Sequence, residues 1–243
     1  MISLVHIGKT GGTTIKHLLK PKLASFKEYH HVKNYNDNEK YIIWIRNPIS
    51  RFVSAFNHAY YGLTAELSGN KDLNFENCLI PDRMTKARKT PYIFSTKYDA
   101  LVLRFNSPNE LAESLSSTDT EKRNFAIDLM KCTEEHLFKG IGWYLNKGKF
   151  VKNRLSNILF VGRQENMKED IIRLGKVLNL SLDENKKVRE NTYIDSSMKY
   201  LSPLAIKNII EWYKPTDYRA LLVLKNHGFI SQETLESYYS YAH

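Results

Sequence analysis

Short β-branched apolar runs alternate along the chain with stretches whose apolar residues recur at helical spacing. Ile2 to Ile7 is the first such run, and it leads into a glycine-rich loop. That pattern predicts a buried strand entering a turn. Ile15, Leu18 and Leu19 then fall at i, i+3 and i+4, so a helix follows until Pro21. Phe26 to His31 reads as a second strand. Tyr41 to Ile45, all apolar, reads as a third and ends at Arg46. Asn47 can cap the next helix and Pro48 suits its first turn. Phe52, Ala55, Phe56 and Ala59 carry that helix to about Tyr61.

Residues 62 to 155 are rich in Tyr, Phe, Lys and Asn, and their periodicity is weaker. Helices are expected from Ser107-Pro108 through Leu115, from Glu121 to Met130 and from Glu135 to Leu145. The alternating pattern resumes with a strand at Ile158 to Val161. A helix is then expected from Glu165 to Leu178, with Ile171, Leu174 and Leu178 on one face. Ser202-Pro203 opens another, with Ile206, Ile209, Ile210 and Tyr213 aligned, and Thr216-Asp217 opens one more, ending near Gly228. Strands alternating with helices predict an α/β fold around a mostly parallel sheet. The chain reads as a single domain over 1–243, with a mainly helical insertion at 62–155. In such sheets ligands sit beyond the carboxyl ends of the strands. The loop after the first strand and Arg46 both occupy such ends.

Composition narrows the partners. The 243 residues carry 36 Lys and Arg against 26 Asp and Glu, a formal charge of +10. The basic residues are dispersed, and Lys186-Lys187 is the densest short run, so no like-charged tail is present. A basic balance favours anionic partners. Two cysteines, Cys78 and Cys132, cannot form a disulfide framework. No apolar run approaches the ~20 residues of a membrane span. Met1 to Val5 lacks a basic n-region, which predicts no signal peptide and a cytoplasmic chain. No His, Cys or Asp cluster stands at metal-ligand spacing, so no metal is expected.

The loop His6-Ile7-Gly8-Lys9-Thr10-Gly11-Gly12-Thr13-Thr14 has the chemistry of an anion cradle. Glycines let backbone approach a phosphate, and the following helix turns free N–H groups and a partial positive charge toward it. Lys9 adds a full charge, and Thr13 and Thr14 add hydroxyls. A Walker A loop would require Gly, four residues, then Gly-Lys-Ser/Thr. Gly8-Lys9-Thr10 supplies the end of that motif, but its leading glycine would fall at Ser3.

Lys9-Thr10-Gly11-Gly12-Thr13 after a first strand, followed by Ile45-Arg46-Asn47-Pro48-Ile49-Ser50-Arg51-Phe52-Val53-Ser54, resembles the sulfotransferases that use PAPS (3′-phosphoadenosine 5′-phosphosulfate). The closer likeness is to the glycan O-sulfotransferases related to heparan sulfate 2-O-sulfotransferase. The resemblance implies a P-loop-like three-layer fold. It also implies that Lys9, Thr10, Gly11, Gly12, Thr13 and Thr14 hold the 5′-phosphosulfate. Arg46 and Ser54, eight residues apart, would hold the 3′-phosphate. Helical spacing puts Arg51, Ser54 and His58 on one face, opposite Phe52 and Phe56, and that face is expected to meet the nucleotide. Phe160 to Met167 (Gly162-Arg163-Gln164-Glu165-Asn166 within it) resembles the family's later strand and loop, which brings in Arg163. Arg189-Glu190-Asn191-Thr192 resembles a loop closing over the nucleotide, which brings in Arg189 and Thr192. The likeness covers about 1–61 and 157–230, leaving the middle third as the expected acceptor-specificity region.

Sulfuryl transfer is an in-line displacement, so positioning and charge stabilisation should dominate the rate. Lys9 would neutralise the departing bridging oxygen. The resemblance favours His31 as the base for the acceptor hydroxyl, with His30 beside it, and His136 and Glu165 as further candidates. The resemblance implies as products PAP and a sulfated hydroxyl compound, with a glycan as one candidate acceptor. Two other readings stay open: a P-loop kinase of a small hydroxyl compound, and a basic module for polyanions or nucleic acid. No nucleic-acid motif is present in the sequence, and nothing in it sets an oligomeric state.

Overall fold

The structure is a computed structural model that describes residues 1–30, 36, 38–68, 98, 101–133, 135–186 and 195–241. Strands β1 (Ile2–Val5), β2 (Phe26–Tyr29), β3 (Lys40–Ile45) and β4 (Ile158–Arg163) form one sheet in the order β2-β1-β3-β4. Every pairing is parallel, so all the carboxyl ends lie along one edge. The helices are α1 (Gly12–Leu19), α2 (Pro48–Ser68), α3 (Pro108–Ser114), α4 (Thr120–Met130), α5 (Ile141–Tyr144), α6 (Lys149–Asn153), α7 (Met167–Leu178), α8 (Pro203–Tyr213), α9 (Arg219–Asn226) and α10 (Gln232–Ser237).

Both sheet faces are apolar, as a parallel sheet covered on each side requires. Leu4, Ile42, Trp44 and Phe160 point to one face. There they share a buried cluster with Ile15, Leu18 and Leu19 of α1 and Ile171 and Leu174 of α7. Tyr41 points to the other face, where its ring meets Phe150 of α6 edge-on at 5.2 Å. The expected α/β architecture with helices flanking a parallel sheet is therefore present.

The described residues divide into two compact units. The first holds the sheet and comprises 1–51, 139–193 and 210–242; the second comprises 52–138 and 194–209. Residues 139–155, expected within a helical insertion, thus belong with the sheet. The second unit has its own apolar centre, including Phe105, Leu111, Ala126, Leu129 and Met130. Ser107 caps α3 by accepting from the Glu110 N–H at 3.1 Å. Side chains then tie its elements together: Ser202 Oγ donates to Glu113 at 2.6 Å, and Asn57 Nδ2 donates to the Met198 carbonyl at 2.8 Å.

Two expectations are corrected. The helix expected over Glu135 to Leu145 is confined to Ile141–Tyr144, preceded by turns and followed by a 3₁₀ turn. Asp217, expected to open a helix, caps a different one. Its buried carboxylate accepts from the Ile141 and Gly142 N–H groups, each at 2.9 Å, at the start of α5. The chain through Lys214–Tyr218 is a π-helical turn that aims Asp217 away from its own helix. The last helix, α10, was not anticipated.

Candidate active site

The loop between β1 and α1 is shaped by two left-handed residues, Lys9 at φ 69° and Gly11 at φ 85°. Gly11 stands at the helix N-cap, and no side chain caps the helix. Within the first turn the Thr14 N–H bonds the Gly11 carbonyl at 3.0 Å, while the N–H groups that precede it have no carbonyl a turn earlier to bond. Thr13 and Thr14 lie in this turn, half-buried. Thr10 is turned inward: fully buried, its hydroxyl donates to the Ile7 carbonyl at 2.9 Å. It therefore shapes the loop rather than offering a hydroxyl to a ligand.

Gly11 and Gly12 are constrained by what lies against them. A Cβ on Gly11 would sit 2.0 Å from Gln164 Oε1, and one on Gly12 would sit 2.3 Å from His6 Cδ2. Gln164, from the turn after β4, thus lies over the cradle. Its Oε1 is buried and has no hydrogen-bond partner among the described residues.

Arg46 leaves β3 at the same sheet edge. Its Nη1 donates to the Lys9 carbonyl at 3.2 Å, which joins the two motifs. Burial lowers the Arg46 pKa, while the nearby Glu165 carboxylate opposes that shift. Asn47 performs the expected capping: Oδ1 accepts from Ile49 N–H at 2.8 Å. Its Nδ2 also donates to the Ser240 carbonyl at 2.9 Å, fastening the C-terminal segment beside the site. Glu165, weighed as a base, accepts from the Asn47 N–H at 2.8 Å and from the Tyr238 hydroxyl at 3.0 Å. It is a latch between β3, β4 and the C-terminal segment.

Arg51 does not share an outward face with Ser54. It is fully buried, with Nε 3.7 Å from Asp217 Oδ2 and its guanidinium 5.3 Å from the Tyr213 ring centre. The helical period placed it correctly around the axis. The C-terminal segment covers that position, which only the fold reveals. Ser54 is half-buried in the second turn of α2, within the second unit. Arg163 is occupied: Nε bonds Asp170 at 3.1 Å and Nη1 bonds Thr234 at 2.9 Å. It braces β4 against α7 and α10. His136 lies in the second unit, its ring 5.8 Å from that of His58. His31, Arg189 and Thr192 lie outside the described residues.

Beside the loop the fold assembles a group that spacing did not disclose. His6, at the end of β1, and Glu28, on β2, are hydrogen-bonded through Nδ1 and Oε1. Lys16 of α1 stands 2.6 Å from Glu28 Oε2, and His30 Nε2 stands 3.1 Å from Oε1. The two imidazole rings are 4.6 Å apart. The imidazole and carboxylate atoms of His6, Glu28 and His30 all lie within 4.8 Å, although sequence spacing showed no such cluster. Burial lowers the His6 pKa against the opposing bond to Glu28, favouring the neutral ring. Burial alone would raise Glu28, but hydrogen bonds from Lys16 and His6 outweigh it and hold the carboxylate ionised. The sequence signal was the position of these groups at the ends of adjacent parallel strands; which of them would meet required the register Val5 to Tyr29.

The edge thus carries a glycine-lined cradle with a lysine, an arginine joined to it, and histidines next to a fixed carboxylate. No helix among the described residues is long and apolar enough to cross a membrane. The chain has no match among curated proteins or solved structures. A family model described as the sulfotransferase family matches residues 1–219, and this chain, by the reach of that match and the motifs it encloses, belongs to the sulfotransferase family.

Proposed function

We propose that this sulfotransferase moves the sulfuryl group of PAPS to a hydroxyl acceptor, as a carbohydrate or another small or lipid-linked alcohol would offer. The observation that carries the reading is the bond from Arg46 Nη1 to the Lys9 carbonyl at 3.2 Å. It brings a cradle suited to one phosphate within reach of a guanidinium suited to another. A donor phosphorylated at both the 5′ and 3′ positions matches two such sites; a donor with a single phosphate group matches one.

In this reading the loop N–H groups around Gly11 to Thr14 hold the 5′-phosphosulfate. Arg46 takes the 3′-phosphate. An acceptor oxygen attacks sulfur as the bond from sulfur to the bridging oxygen breaks, and PAP leaves with the electron pair. Lys9 neutralises the charge on that leaving oxygen. A histidine of the adjacent pair, His30 and His31, takes the proton released by the hydroxyl.

Thermal shift in metal-free buffer tests the donor. PAP should raise the melting temperature well above any shift from ATP or AMP at equal concentration. Equal shifts from all three, or stabilisation by ATP that depends on Mg²⁺, would remove the PAPS reading and favour a kinase. Steep salt-dependent binding to polyanions without nucleotide preference would favour a polyanion module.

A further inference from the structure

We propose that Glu28 is a positioning residue that holds His30 as the acceptor's base, fixing the tautomer with its proton on Nε2 and leaving Nδ1 to receive the hydroxyl proton. This rests on the sulfuryl-transfer reading and deepens it. Three features carry the proposal.

Glu28 is itself immobilised. Lys16 Nζ holds one oxygen at 2.6 Å, and His6 bonds the other. His6 is in turn seated over Gly12, where any Cβ would collide with its ring. The carboxylate is therefore tied on both sides to the loop and helix that form the anion cradle. His30 is the remaining member, 3.1 Å from Glu28 Oε1, and its side chain is 51% exposed against 15% for His6. Of the two rings, His30 is the one an acceptor can reach.

Chemistry favours this division. A carboxylate beside one imidazole nitrogen selects the tautomer protonated there and stabilises the imidazolium that forms on proton uptake. As the acceptor's O–H bond breaks and its oxygen bonds sulfur, the proton passes to His30 Nδ1. The positive charge is then shared with Glu28. His6, kept neutral by burial, competes little for that charge. The charged and titratable groups facing the carboxylate are Lys16 from α1, His6 from the end of β1 and His30 beyond β2. With an ammonium already on Oε2, a proton is favoured over a divalent cation as the mobile positive charge here.

The test is ¹⁵N NMR of histidine-labelled protein, above the ordinary histidine range. The spectra are recorded both without PAP and with it, and PAP binding is checked separately by thermal shift, so failure of PAP to bind indicts the donor reading while the spectra without PAP still judge Glu28. His30 should show a predominantly Nε2-protonated ring. Glu28→Gln should lose that preference and Glu28→Asp should keep part of it. Lys16→Met should lower the melting temperature and weaken the His30 tautomer preference less than Glu28→Gln does, because His6 still holds Glu28 Oε1, which separates positioning from mere structural support. A His30 ring protonated at Nδ1 in the native protein would overturn the proposal. So would a tautomer unchanged by Glu28→Gln, or zinc retained stoichiometrically on His6 and His30.

Discussion

At the scale of single residues, the proposed cradle would draw its charge from Lys9 and its shape from Gly11. Lys9 has a backbone φ of 69°, a conformation non-glycine residues seldom adopt, and its carbonyl receives Arg46. Under the proposed mechanism Lys9→Ala should cut PAPS turnover at saturating donor by about 10²–10³-fold, the usual consequence of removing a transition-state charge partner. Near-normal turnover would take this role from Lys9. Gly11→Ala meets two obstacles. A left-handed φ of 85° disfavours a Cβ, and Gln164 Oε1 stands 2.0 Å from where that Cβ would go. The strain is about 1–2 kcal/mol from backbone alone, so urea titration should show a lower midpoint and PAP should no longer raise the melting temperature. An unchanged midpoint would mean the loop relaxes around the methyl group.

At the scale of elements, the π-helical turn at Lys214–Tyr218 decides how α5 begins. Asp217 supplies two N–H groups of α5 with an acceptor and faces the buried Arg51. Removing one partner strands the other charge in an apolar surrounding. Asp217→Ala is therefore expected to cost about 3–5 kcal/mol of stability, as breaking a buried pair does. Equilibrium urea unfolding measures this, and a loss smaller than ordinary surface substitutions would show that Arg51 finds other partners. Helical spacing correctly placed Arg51 on α2, but spacing carries no information about a segment 166 positions later that covers it. The same holds for Arg163, whose place at the end of β4 was readable while its bonds to Asp170 and Thr234 were not.

For the whole molecule, stability should respond to acid through groups whose folded forms resist protonation. Burial lowers His6 from 6.5, so the unfolded chain binds the proton more readily. Its contribution is present above that value and is lost as pH falls through the folded pKa. Glu28 and Glu39 behave alike. Burial opposes them, but hydrogen bonds from Lys16 and His6 to Glu28, and from Ser3 and Tyr29 to Glu39, bring both below 4.5. Their stabilisation is present above 4.5 and fades below it. Asp217, raised by burial, acts in the opposite direction. Melting temperature should therefore decline as pH drops below neutrality, in an upper phase from His6 and a lower phase from the carboxylates. Glu28→Gln should weaken the lower phase; an identical acid profile in that variant would exclude Glu28 as a contributor.

The chain's own order of residues determined most of the sheet, because the apolar runs of β1, β3 and β4 can be buried on both faces only when helices cover each side. It also placed the glycines, lysine and threonines of the proposed anion cradle within one strand–loop–helix turn, where they are neighbours without any distant partner. Tertiary structure alone decided the rest. It turned Thr10 inward, buried Arg51 against Asp217, engaged Glu165 and Arg163 as braces, laid Gln164 over Gly11, and gathered His6, Lys16, Glu28 and His30 around one carboxylate. Most of these contacts join separate elements, so the packing of those elements, rather than local periodicity, sets each partner. Where the two levels meet, at Arg46 on the Lys9 carbonyl, the sequence supplied both groups and the parallel register brought them together.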